Sequence, residues 1–177
     1  RSKIILAMEM MNNKINFIVL MILLVGCGKK DVHLEEYLSP RFEKAMGYFD
    51  KGKYSRSKDE FDYIIMADPG SKIANESQYY MAESMFQIEE YDEASIAFDR
   101  YVRFSPDYLK IEKARYRICK CAINLSNSYQ REQSQTHRAL EQLQMFIEDF
   151  PASDLIYDAE DAMLALRLKL AQKDYEV

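Results

Sequence analysis

Small and large side chains recur in a fixed order before prolines, and this repeat constrains the fold more than any other feature of the 177-residue chain. Three prolines close similar segments, namely Pro69, Pro106 and Pro151. A large apolar residue stands eight positions before each proline, and a small residue stands four positions earlier still. The large residues are Phe61, Phe98 and Leu143, and the small ones are Ser57, Ala94 and Ala139. The second unit follows the first by 37 residues, and the third follows the second by 45.

Each landmark has a packing role in a pair of antiparallel helices. A further small residue in each preceding helix lets the two helices approach closely; these residues are Ala45, Ala82 and Cys119. The large residue fills the groove between the helices, and proline stops the second helix. Only five glycines and four prolines occur, which favours long helices. The predicted helices are 40–52 and 54–67, 74–88 and 91–104, 109–125 and 136–149, with another after Ser153 and Asp154.

A helix-turn-helix unit of 37 residues resembles the tetratricopeptide repeat, whose usual length is about 34. Arg41, Gln78 and Arg115 stand where that template prefers tryptophan. The sequence therefore predicts an all-α, tetratricopeptide-like α-solenoid of about three and a half repeats over residues 39–177, which we expect to continue in the natural protein. The longer third unit predicts a loop of eight extra residues around 125–136.

The amino-terminal stretch is typical of an export signal. Residues 17–25 are uninterruptedly apolar, which is too short to span a bilayer that needs about 20 helical residues. Leu24 to Cys27 resemble a bacterial lipobox, which implies cleavage before Cys27 and acylation of its thiol. We therefore expect a signal peptide over 1–26, of which 1–9 are upstream of the true start, and a tether over 27–38. A cleaved signal without lipid is the alternative.

Composition and cysteine spacing exclude several classes of function. The formal charge of −5 and a pI near 5.2 disfavour nucleic-acid binding. Cys119 and Cys121 diverge on a helix, so we expect no disulfide between them, and core filling is the preferred interpretation for Cys119. The two histidines, His33 and His137, are distant in sequence and no C-x-x-C occurs. We predict no metal, no cofactor and no enzymatic activity.

Beside the lipobox that is followed closely by repeats, three segments are informative: 91–106, the insertion 131–136 that leads into 139–147, and 168–177. With these features the chain resembles the BamD family, the outer-membrane lipoproteins of the β-barrel assembly machinery. The resemblance implies a non-catalytic scaffold, lipid-anchored on the periplasmic face of the outer membrane. Its implied partners are a BamA-like subunit and unfolded outer-membrane proteins. The alternative is a different tetratricopeptide-repeat envelope lipoprotein that acts as a protein-protein adaptor.

Candidate binding residues lie on the first helix of each pair, where a solenoid presents a concave surface to an extended peptide. They are Phe42, Met46 and Phe49, then Tyr79, Glu83 and Phe86, then Tyr116 and Lys120. Packing is the stronger interpretation for the three phenylalanines. Tyr79 and Tyr116 are better candidates, because their hydroxyls need water or a polar partner. The insertion around 125–136 is interpreted either as a docking loop or as a plain connection. Its candidate binding residues are Arg131, Glu132 and Gln133.

Overall fold

The computed structural model describes residues 31–128 and 133–175, which contain helices and turns but no strand. Residues Tyr37–Val177 form one compact unit, and the packing below concerns that unit. The helices are α1 (Asp31–Phe49), α2 (Tyr54–Ala67), α3 (Lys72–Gln87), α4 (Tyr91–Phe104), α5 (Tyr108–Ser128), α6 (Gln133–Asp149) and α7 (Ile156–Tyr175). From α2 onward each helix packs on the next along the chain. The predicted α-solenoid of antiparallel pairs is confirmed, and α2 and α4 have the predicted bounds.

The small landmark residues lie where the two helices of a pair touch. Ala45 on α1 and Ser57 on α2 are both fully buried, and the Ser57 hydroxyl donates a hydrogen bond to the Ala45 carbonyl at 3.0 Å. In the second pair, Ala82 and Ala94 are also fully buried. Residues without long side chains therefore permit the close approach of the backbones at equivalent places, as the repeat predicted.

The large landmark residues fill the core. Phe61, Phe98 and Leu143 are fully buried, one in the second helix of each pair. The second helices then end shortly before the marker prolines, at Ala67, Phe104 and Asp149. A residue that precedes proline is pushed out of helical geometry, which explains these ends. Before α7 the Ser153 hydroxyl accepts a hydrogen bond from the Leu155 N–H at 3.1 Å, so Ser153 forms a turn that leads into the helix, which begins at Ile156.

The turns inside the first two pairs are copies of each other. Gly52 has a φ of 68° and Glu89, 37 residues later, has a φ of 65°. The Gly52 N–H donates to the Phe49 carbonyl at 2.9 Å, and the Glu89 N–H donates to the Phe86 carbonyl at 3.2 Å. This left-handed geometry suits glycine, whereas a residue with a Cβ pays a steric cost. The second turn therefore holds a strained glutamate where the first holds glycine.

Glu89→Gly is expected to raise the free energy of unfolding by about 1 kcal/mol, because it relieves the left-handed strain. Urea unfolding followed by circular dichroism measures the change. Glu89→Ala is the matched control, since it removes the same charge and keeps the Cβ. An equal gain from both variants would assign the effect to charge and contradict the strain argument.

Two predicted boundaries are wrong. The helix predicted over 40–52 begins at Asp31 and ends at Phe49, so residues 31–38 are helical. Because proline favours the first turn of a helix, the sequence predicted that the helix starts at Pro40. In the structure Pro40 lies inside α1. Leu38 is fully buried, and this burial offsets the hydrogen bond that Pro40 lacks.

The long loop predicted around 125–136 is also wrong. Most of the insertion lengthens α5 to Ser128 and starts α6 at Gln133. Thr136 and Ser126, both within the predicted loop, are buried. The Lys169 ammonium of α7 donates a hydrogen bond to the Ser126 carbonyl at 2.7 Å, so the added turn of α5 packs against the next pair.

Both carboxy-terminal cysteines belong to the core. Cys119 and Cys121 are free thiols and almost fully buried, which confirms core filling and the lack of a bond between them. The Cys119 thiol donates to the Gln142 carbonyl at 3.2 Å. Burial raises the pKa of each thiol to about 12, so both stay protonated and unreactive at neutral pH.

Candidate protein-binding site

The first helices of successive pairs lie side by side. Between α1 and α3, the Phe49 and Tyr80 ring centroids are 5.5 Å apart in an edge-to-face contact. Between α3 and α5, Lys110 pairs with Glu76, and Arg117 pairs with Glu83. These contacts link α1, α3 and α5 into one face, and α7 continues it through its hydrogen bond to α5.

The ion pair between Glu83 and Arg117 is the most buried one in the described part of the chain. Its Nε to Oε1 distance is 2.8 Å, and the Glu83 side chain is only 7% exposed. The Arg117 guanidinium also lies 4.7 Å from the centre of the Phe86 ring. A buried carboxylate without a partner is costly, so this pair fixes the spacing between α3 and α5.

A trough of about 680 Å³ opens on this face between α3, α5 and α7. Aromatic and apolar groups form part of its surface, with charges of both signs beside them. Lys120 of α5 supplies a positive charge, whereas Asp158 and Asp161 of α7 supply negative ones. The complete lining is Phe86, Tyr91, Tyr116, Arg117, Lys120, Ile123, Asn124, Asp158, Asp161 and Ala162.

Three candidates from the sequence meet in this trough: Phe86, Tyr116 and Lys120. Tyr116 is more deeply buried than we expected, with 8% of its surface exposed and its ring centroid 5.3 Å from that of Phe146. Burial and the nearby Asp158 carboxylate raise the pKa of Tyr116. Tyr116 is therefore mainly a core residue that borders the trough. The Lys120 ammonium lies 5.4 Å from the centre of the Tyr116 ring.

Five other candidates do not line the trough, namely Phe42, Met46, Phe49, Tyr79 and Glu83. Phe42 packs against Phe61 and Tyr80, with centroid distances of 5.5 and 6.2 Å. The Tyr79 ring lies 5.2 Å from that of Tyr101. Burial, followed by the Glu83 charge and hydrogen bond, raises the pKa of Tyr79 well above its ordinary value. Phe42, Met46 and Tyr79 are half-buried and Glu83 is buried. Packing dominates for these aromatic rings.

Repeat spacing was the signal that would have found two missed residues. Ile123 stands 37 positions after Phe86, so both occupy the same place on successive first helices. Asp161 stands 45 positions after Tyr116, which is the spacing across the lengthened third unit. The trough is thus lined by equivalent positions of successive helices. Asp158 and Ala162 had no such signal, because their approach depends on how α7 packs.

The loop candidates are only partly within the described residues. Gln133 is the exposed first residue of α6, whereas Arg131 and Glu132 lie outside the residues that the structure describes. The predicted acylation site, Cys27, also lies outside them. These three assignments stay predictions.

A second groove, of about 470 Å³, lies on another side of the unit, between α4 and α6 with α5 beneath. Asp92 and Asp99 of α4 line it together with Arg138 of α6. Its apolar lining is provided by Ile96, Ile118, Ala122, Leu125 and Met145. Both grooves therefore combine apolar surface with charges of both signs.

This chemistry suits the binding of a peptide. Within residues 31–128 and 133–175, no group of three or more acidic, histidine or cysteine side chains is arranged to hold a metal. In the same residues, none of the helices has the length and apolar character needed to cross a bilayer. Open grooves with apolar surface and charges of both signs can hold side chains of a partner by burial and orient it by charge.

Stacked antiparallel helix pairs with a trough along their first helices define a tetratricopeptide-like repeat protein of the α-solenoid class. The model of the family YfiO, described as "Outer membrane lipoprotein", matches residues 35–177. The chain belongs to this outer-membrane lipoprotein family, which confirms the resemblance found in the sequence and the expected association with the outer membrane. The family is non-catalytic, in agreement with the expectation that the chain is not an enzyme.

A curated relative gives the same assignment. The chain is 24% identical over 144 residues to "Outer membrane protein assembly factor BamD" of Rickettsia prowazekii (strain Madrid E). The aligned part covers 80% of this chain and 57% of the relative. The chain thus spans little more than half the length of that relative.

Proposed function

We propose that this chain is a scaffold lipoprotein of the outer-membrane β-barrel assembly machinery. Acyl chains on Cys27 hold it on the periplasmic face of the outer membrane, where it receives unfolded barrel precursors and works with a BamA-like subunit. The trough between α3, α5 and α7 carries the proposal, since it offers an extended segment both apolar surface and charges of both signs.

An extended precursor segment would lie across the first helices. An aromatic side chain of the segment would pack on Phe86 and Ile123, which provide apolar area beside the edge of the buried Tyr116 ring. The Lys120 ammonium would pair with a carboxylate of the segment, and Asp161 would face a basic side chain. Because the ion pair of Arg117 and Glu83 holds α3 against α5, the trough is formed before the segment arrives, which lowers the cost of binding.

Lys120→Glu is expected to weaken binding of a terminal β-strand peptide that ends in an aromatic residue by about tenfold, or about 1.4 kcal/mol. The reason is that it replaces the attractive charge beside the apolar surface with a repulsive one. Fluorescence anisotropy of the labelled peptide with the full chain measures the dissociation constant. Asp161→Lys is expected to change the affinity as well, with a sign set by the charge of the peptide.

Glu160→Lys is the matched control for Asp161→Lys, because Glu160 is an exposed neighbour on α7 that does not line the trough. Arg100→Glu, on the exposed surface of α4, is the control for Lys120→Glu. Equal losses in the variants and their controls would show nonspecific charge effects and contradict the trough assignment. Affinity capture from native envelopes that repeatedly recovers a different complex, without a BamA-like subunit, would favour the adaptor function.

A further inference from the structure

Exposed apolar side chains gather at one end of the helix pairs. We call this end the proline edge: it holds the turns of Pro69, Pro106 and Pro151, where the second helix of one pair connects to the first helix of the next. In the described residues, seven large apolar side chains are more than 60% exposed, and six of them lie at this edge. The six are Tyr37, Met66, Phe104, Tyr108, Leu109 and Tyr157.

The topology brings these side chains to the same end. Met66 and Phe104 lie in the last turns of α2 and α4, and Tyr108 and Leu109 begin α5. Tyr37 stands 37 positions, or one repeat, before Ala74, which lies in the first turn of α3. Tyr37 therefore has the equivalent place on α1. All first helices start, and all second helices stop, at the proline edge.

The opposite edge differs sharply. Its described turns, residues 50–53 and 88–90, expose no large apolar side chain. Asp50, Lys51 and Lys53 are exposed in the first turn, and Glu89 is exposed in the second. Single exposed apolar residues are ordinary, but a row that follows one edge over several repeats is typical of a contact surface.

We infer that the proline edge lies against the lipid bilayer, with Phe104, Tyr108 and Leu109 at the centre of the contact. This inference rests on the acylation of Cys27 in the proposed function. Tyr37 stands ten positions after Cys27, which is a reach of at most about 36 Å and less because α1 begins at Asp31, so the anchor keeps this edge close to the membrane.

The chemistry of the edge fits the interface of a bilayer. Tyrosine is suited to the headgroup boundary, where its ring is buried and its hydroxyl stays hydrated, and phenylalanine and leucine bury apolar side chains there. Residues 1–26 contain three basic and one acidic side chain, so removing them leaves 21 basic and 28 acidic ones and a formal charge of −7. Attraction to anionic lipid is therefore not the driving force, and burial of apolar surface is.

The contact is weak alone and becomes effective because of the anchor. Attachment through Cys27 turns membrane contact into an intramolecular event with a high effective concentration. The ring of Tyr108 is held 5.7 Å from the buried Phe150 ring, so part of the edge is ordered before contact. A solenoid that rests on this edge keeps its first-helix face open to periplasmic precursors.

The chain contains no tryptophan, so single substitutions give a clean optical probe. Phe104→Trp in the full acylated chain is expected to show blue-shifted emission and several-fold stronger quenching by brominated lipid in phosphatidylcholine vesicles than Lys51→Trp on the opposite edge. Met66→Trp is expected to follow Phe104→Trp. Both apolar positions are exposed, so the variants should fold normally, which a melting curve checks.

The inference would be overturned if Phe104→Trp and Lys51→Trp showed equal emission and equal quenching in chains whose acylation is verified by mass spectrometry. That result would not contradict the anchor at Cys27. If mass spectrometry finds Cys27 unmodified, the anchor is wrong. The same probes are then compared in chains held on the vesicles by an amino-terminal histidine tag and a nickel-chelating lipid, where the same difference is expected. A photocrosslinker at position 104 that captures protein instead of lipid in native envelopes would also overturn it.

Discussion

Replacing Arg117 with methionine is expected to lower the free energy of unfolding by about 2–3 kcal/mol, because it leaves Glu83 buried without its cation. Glu83 is 7% exposed at the carboxylate side chain, and Arg117 is its ion-pair partner at 2.8 Å. Arg117 itself is 32% exposed, and this partial hydration keeps the loss at the lower end for a buried pair. Methionine keeps an apolar stem near Phe86, so the change reports mainly on the charge.

Urea unfolding of the repeat domain measures the loss. Arg115→Met is the matched control on the same helix, since its partner Asp149 is 50% exposed and stays hydrated when alone. We expect that control to cost less than about 1 kcal/mol. Adding Glu83→Gln to Arg117→Met should restore much of the stability. Equal losses for Arg117→Met and Arg115→Met would refute the burial argument.

The second large effect is expected for Phe98→Ala, which should lower the free energy of unfolding by about 3–5 kcal/mol. Phe98 is fully buried between the helices of the second pair, and its ring lies 6.0 Å from that of Tyr79. Removing the ring loses its apolar burial and leaves a cavity that close-packed helices only partly fill.

Thermal and urea unfolding compare Phe98→Ala with Ile96→Ala, two residues away on α4. Ile96 is 65% exposed, so its truncation should change stability by no more than about 0.5 kcal/mol. If Phe98→Ala does not fold, Phe98→Leu gives the same ordering with a smaller loss. Similar losses of stability at positions 96 and 98 would show that the Phe98 ring between the helices is not the main stabilising contact.

The two variants separate folding of the repeats from formation of the binding site. Phe98 maintains the second helix pair, whereas the pair of Arg117 and Glu83 spaces α3 from α5 and so shapes the trough wall. The Arg117→Met variant, in which Phe98 is unchanged, should retain its helices but bind peptide more weakly.

Most of the helical framework was predictable because local rules determine it. Pro69 and Pro106 end the helices that precede them, and small residues at matched positions let helices approach, so α2 and α4 were predicted to the residue. The start of α1 was missed because proline is favoured at the start of a helix, and the burial of Leu38 outweighs that local signal. The loop around 125–136 was missed because extra residues between helices extend them when neighbours provide packing.

The candidate site was predictable only in part. Repeat positions on the first helices gave Phe86, Tyr116 and Lys120, which line the trough. Periodicity cannot tell which aromatic ring faces a groove and which fills the core, so Phe42 and Tyr79 were candidates although both pack against other rings. The acidic wall of Asp158 and Asp161 depends on the packing of α7 against α5.

The sequence by itself determined the class of fold, the positions of the helix pairs and the family, because these follow from spacing and side-chain size along the chain. Only the tertiary structure decided where the open surfaces lie. Exposure at Phe104 and Leu109, burial at Tyr116 and the pairing of Glu83 depend on contacts between residues far apart in sequence. A surface that binds a partner is what remains after those contacts are made, and no local pattern encodes it.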